Sequence, residues 1–74
     1  MNEIEFLAEL QEILQRDDPL NMDMILKDLD EWDSLAIMGL AALLDRKFGK
    51  LVSFDTIKSL KTVRDIAKLA GIAE

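Results

Sequence analysis

The chain has no cysteine and no histidine among its 74 residues, and only one proline. Without cysteine there are no disulfides and no thiolate metal sites. With both residue types missing, neither a serine–histidine pair nor a thiolate nucleophile can be assembled within the chain, which disfavours an enzyme. Apolar runs are short as well. The longest uncharged stretch, Ser34 to Leu44, falls far below the length that spans a bilayer. The opening residues, Met-Asn-Glu-Ile-Glu, are acidic where a signal peptide is basic and then apolar. A cytoplasmic protein with no membrane span is the expectation.

What is present is aliphatic and acidic. Half of the residues are apolar, enough to supply a core and to argue against disorder. The length fits one domain, residues 1–74, near the low end of what folds alone. The net charge of −6 hides a division. Residues 1–33 hold eleven acids and two bases (Arg16 and Lys27), a net of −9, whereas residues 34–74 hold seven bases and four acids, a net of +3. The acidic half repels phosphates, so nucleic acid is a poor partner. Lys58, Lys61, Arg64 and Lys68 come closest to a basic face, and the overall acidity argues against their binding DNA. The same acids would steer basic protein surfaces toward the loop before Ser34.

Helical spacing organises the chain. Asn2 with Glu5 forms a capping-box-like start, and Ile4, Leu7, Leu10, Ile13 and Leu14 recur through about Gln15, with Phe6 and Ala8 widening the stripe. Asp17-Asp18-Pro19 is the expected stop. Residues 17–33 form a long connection pegged by Leu20, Met22, Ile25, Leu26 and Leu29, with about one helical turn of its own. A second helix runs from Ser34 to about Phe48, with cations in its last turn and Gly49 as its stop. Ser53 caps a short turn holding Phe54 and Ile57. Thr62 with Asp65 opens a last helix, containing Val63, Ile66, Ala67, Leu69 and Ala70, that ends at Gly71. The expected fold is all-α: a small four-helix bundle of three main helices and one short one, with the long loop between the first two.

The second helix has more apolar surface than a small bundle needs. Ile37, Leu40, Ala41, Leu44 and Phe48 form the stripe expected to face the core. Leu35, Met38, Gly39 and Ala42 form a second stripe, read either as further core or as a docking patch for partners. Gly39 costs helix stability unless a backbone or a ligand comes close; a neighbouring helix and a docking partner both fit. The acids ahead of the helix do not make a calcium loop. Counting from Asp28, an EF-hand needs glycine where Asp33 stands and a glutamate where Gly39 stands, so no metal site is expected.

Ser34 would by itself read as a helix cap, a role typically contributing about 1 kcal/mol. The surroundings change that reading. Glu31-Trp32-Asp33-Ser34-Leu35, followed by a helix and then Phe48-Gly49, resembles the acyl carrier protein family, and the similarity covers nearly the whole chain through Thr62-Val63-Arg64-Asp65. The resemblance implies a covalent 4′-phosphopantetheine arm on Ser34, added from coenzyme A by a phosphopantetheinyl transferase. Acyl groups would ride on it as thioesters, and the protein itself would catalyse nothing. Asp33 would take part in recognition by the transferase, and Leu35 would pack beside the arm's root. Trp32 reads as a loop anchor against the core.

The chain departs from the family's common patterns in two places. The second helix lacks the acids typical of carriers in fatty-acid synthesis, with Asp45 its only one. The glycine pair usual before the attachment site in peptidyl carriers is replaced by Asp30-Glu31-Trp32. Docking is therefore expected on the apolar patch (Leu35, Met38, Gly39, Ala42) and the loop acids Asp28, Asp30, Glu31 and Asp33. The expected partners are an acyl-loading ligase or transferase and downstream acyl-processing enzymes, served by a monomeric stand-alone carrier in a specialised pathway. A small helical protein–protein adaptor without covalent modification is the alternative.

Overall fold

The first helix begins where its orphan backbone donors find side chains. Asn2 Oδ1 accepts from the Glu5 amide at 2.8 Å, and Glu5 Oε1 accepts from the Asn2 amide at 3.2 Å. In this computed structural model, which describes residues 1–72, helix α1 spans Glu3–Leu14. It ends before the expected Asp17-Asp18-Pro19 stop. Gln15 turns left-handed (φ 56°), and the amides of Gln15 and Arg16 return to the carbonyls of Glu12 and Gln11. Gln11 Nε2 then donates to the carbonyls of Arg16 and Asp17, at 3.1 and 3.2 Å, and holds the departing chain. Proline is not needed to end the helix.

The core stripe of α1 is Phe6, Leu10 and Leu14, with Leu7 and Ile13 half-buried. Ile4, expected in the stripe, is 79% exposed. Residues two positions apart in a helix differ by about 200° around the axis, so burying Phe6 turns Ile4 outward. Phe6 meets the Phe48 ring edge-on at 6.1 Å, tying α1 to the far end of the second helix.

The long connection is ordered by backbone pairing. The Leu26 amide donates to the Lys61 carbonyl at 2.8 Å, while the amides of Val63 and Arg64 donate to the carbonyls of Met24 and Met22. Leu20, Met22 and Leu26 are buried, Leu29 is half-buried, and Leu26–Asp28 forms one 3-10 turn, as expected. Ile25 is a correction: it pairs with Thr62 in an isolated bridge, and its side chain is largely exposed. Met24 takes its place against the core.

Helix α2, Ser34–Phe48, is the central element. It buries Ala36, Ile37, Leu40, Leu43 and Leu44, a wider stripe than expected, with Ala41 and Phe48 packed at its border. Gly49 ends it in the left-handed conformation (φ 64°), where a side chain would be strained. Helix α3, Phe54–Lys58, starts at Ser53, whose Oγ accepts from the Thr56 amide at 3.2 Å. Helix α4, Val63–Ala70, carries the second capping box: Thr62 Oγ1 accepts from the Asp65 amide, and Asp65 Oδ2 accepts from the Thr62 amide. Val63, Ile66, Ala67 and Ala70 complete a single core shared by all four helices. The all-α bundle expected from the sequence is the observed fold.

Candidate functional site

Three short contacts build the corner that presents Ser34. The Trp32 amide donates to the Leu29 carbonyl and the Asp33 amide to the Glu31 carbonyl, both at 3.0 Å, turning the chain sharply. Asp33 then takes extended backbone geometry, and its Oδ1 accepts from the Ala36 amide at 2.9 Å. Asp33 is therefore the cap of α2, so the capping role that Ser34 would have by itself falls one residue earlier. Ser34 is the first helical residue, exposed, with its hydroxyl released from the capping role.

The position suits an attached phosphate. The first amides of a helix have no partners within it, and the dipole places partial positive charge there. The exposed corner leaves room for a modifying enzyme. An open cleft of about 820 Å³ adjoins the serine. Its apolar lining comes from Ile25, Trp32, Ile37, Phe54 and Leu60. Its charged residues are Asp33 and three lysines, Lys27, Lys58 and Lys61, none of them paired with an acid among the described residues.

Leu35, Met38 and Ala42 point to solvent, with Leu35 74% and Met38 60% exposed, so they are not core. Gly39 separates from this group. It is half-buried against α1, and a Cβ there would lie 3.1 Å from Ile13 Cγ2, so helix–helix approach accounts for the glycine. Asp28 and Asp30 are exposed, whereas Glu31 is half-buried and engaged by Arg16 at 3.0 Å. Trp32 is half-buried against the core, as its anchor reading required, and it also lines the cleft.

Sequence reasoning missed the cleft, and it grouped Lys58 and Lys61 only as part of a basic face, apart from Lys27. Its lining comes from segments dispersed between residues 25 and 62, and no local pattern joins them. The one available signal was the division of charge, since Lys58 and Lys61 belong to the basic half.

Among the described residues no helix is long and apolar enough to cross a membrane. No curated protein and no solved structure matches the chain. Residues 5–70 match the family described as "Phosphopantetheine attachment site", whose members carry 4′-phosphopantetheine covalently. With a match over most of its length and a small helical bundle as its fold, this chain belongs to that family of phosphopantetheine carriers.

Proposed function

We propose that Ser34 is the attachment residue and that the protein is a stand-alone, non-catalytic acyl carrier, a substrate of other enzymes, working in a specialised pathway. The observation that carries this reading is the division of labour at the start of α2: Asp33 caps the helix while Ser34, exposed at its first position, keeps a free hydroxyl. In the modification step Ser34 Oγ gives up its proton and forms a new bond to the pantetheine-bearing phosphorus of coenzyme A. The pyrophosphate bond breaks, and adenosine bisphosphate leaves. A transferase supplies the catalysis, consistent with a chain that has no histidine or cysteine. When bound, the group supplies a thiol that holds acyl cargo as a thioester.

The residues around the serine have separate tasks. The amides of the first turn of α2 left without a partner would hold an attached phosphate, Trp32 and Ile37 wall the adjacent cleft, and the Arg16–Glu31 pair holds the approaching loop. Leu35, Met38 and Ala42 form an exposed apolar strip with no acid among them, suited to partners that dock by apolar contact. Asp28 and Asp30 stand exposed ahead of it and would steer basic partners.

The test is covalent. Incubation with coenzyme A and a promiscuous phosphopantetheinyl transferase is expected to add the mass of one arm and one titratable thiol. Ser34→Ala is expected to abolish both while leaving a folded helical protein. An unchanged mass with several transferases would instead favour the helical adaptor.

A further inference from the structure

We infer that the acyl cargo presented by Ser34 bears an anionic group, a carboxylate on its chain, and that Lys27, Lys58 and Lys61 receive it in the adjoining cleft. This rests on the carrier reading above and names the class of cargo. The first support is the charge lining the cleft. Acids outnumber bases fifteen to nine in the chain, yet the cleft gathers three lysines against one acid, Asp33. The Asp33 carboxylate is already turned to the Ala36 amide as the helix cap. An attached phosphodiester adds one negative charge. Counting it with Asp33 leaves one lysine charge uncompensated, and a single carboxylate on the cargo completes the balance.

The second support is shape. A volume of about 820 Å³ lies within the range of small-molecule sites, so the cleft holds more than a phosphate. Trp32, Ile37, Phe54 and Leu60 offer apolar walls to methylene groups, while flexible lysine stems lie along such walls and bring their ammonium groups to an anion. Walls alone would suit any fatty chain. Walls with an unpaired cationic rim select a chain that carries charge. The reaction class that supplies this cargo is then activation of one carboxyl of an acid that retains a second.

The test uses the full-length protein loaded by a promiscuous transferase from coenzyme A, butyryl-coenzyme A or succinyl-coenzyme A, giving a bare arm, a neutral cargo and an anionic cargo of equal carbon length. Intact mass is read first. Amide chemical shifts of residues 58–62 and the emission of Trp32, the single tryptophan, are then compared with the unmodified protein. The succinyl form is expected to shift these amides more than the butyryl form, since only its carboxylate can make charge-assisted hydrogen bonds to the lysines. Lys58→Gln combined with Lys61→Gln is expected to erase that difference with helical content unchanged. Equal shifts for the two cargoes would overturn the anion claim and leave an apolar cleft. Full shifts with the bare arm would overturn it by assigning the lysines to the phosphodiester. Failure to gain mass would overturn the carrier reading and this inference with it.

Discussion

Arg16 Nη1 lies 3.0 Å from Glu31 Oε1, and these residues stand at opposite ends of the connection between α1 and α2. Their side chains keep only 16% and 33% of their exposure, so the pair is better shielded than the Arg64–Asp23 ion pair, at 44% and 86%. Partial desolvation makes such a contact stronger than a surface pair but leaves a larger penalty when one partner is removed. Glu31→Ala is expected to cost about 1 kcal/mol and to lower Tm by about 4–8 °C for a domain of this size, read by thermal melts. Asp23→Ala, on the exposed pair, is expected to stay within about 0.5 kcal/mol of the parent.

The neighbours Asp33 and Ser34 are expected to separate stability from modification. Asp33→Ala removes the cap of α2 and is expected to cost about 1 kcal/mol in denaturant titration, with Asp33→Asn recovering most of it. Ser34→Ala leaves the cap in place and is expected to stay within about 0.5 kcal/mol while losing all arm attachment by intact mass. Equal destabilisation by the two alanines would return the capping role to the serine.

Asp65 links pH to folding. Its carboxylate accepts from the amides of Lys61 and Thr62, both at 3.1 Å, and these bonds hold its pKa below the ordinary aspartate value. A depressed folded-state pKa means the unfolded chain binds the proton more readily. The stabilisation is therefore fully present above the unfolded value, about 3.9, and is lost as pH falls through the folded one. Asp65→Asn is expected to narrow the Tm difference between neutral and acidic solution, with the two proteins converging at the lowest pH. A constant offset from pH 7 into strong acid would contradict the linkage.

The two faces of α2 give opposite expectations. Met38→Asp alters an exposed strip and is expected to change Tm little while impairing acyl loading by partner enzymes. Leu43→Ala empties a site that is 1% exposed and is expected to cost about 2–5 kcal/mol, reading as a large loss in a urea melt. Comparable damage to folding by both would place Met38 in the core.

Helix boundaries were legible because their signals are local. The pairs Asn2/Glu5 and Thr62/Asp65 lie three residues apart, and both capping boxes form. Gly49 and Gly71 likewise stop their helices in left-handed geometry. The rotation of each helix was less legible. Ile4 and Phe6 are both apolar, and which of them is buried depends on the rest of the bundle, including Phe48, against which Phe6 packs. Leu43 escaped because a stripe drawn from Ile37, Leu40 and Leu44 was already adequate for one contact surface, whereas a central helix buries a broader arc. Asp33 and Ser34 are both good caps, so composition alone could not set the register between them. The cleft was least legible, since it exists only when residues near 27, 34 and 58–62 are folded together.

The hydrogen bonds joining residues 22–26 to residues 61–64 fasten the segment leading to the serine directly onto the threshold of the last helix. The presenting corner therefore takes its bearings from the carboxy-terminal quarter of the chain as well as from the helix it opens. A fragment cut before Thr62 would keep Asp33-Ser34-Leu35 and lose the bonds from the Val63 and Arg64 amides that help to place them. If Ser34 is modified as proposed, a short peptide around it is expected to take up the arm more slowly than the whole domain, read by intact mass over time.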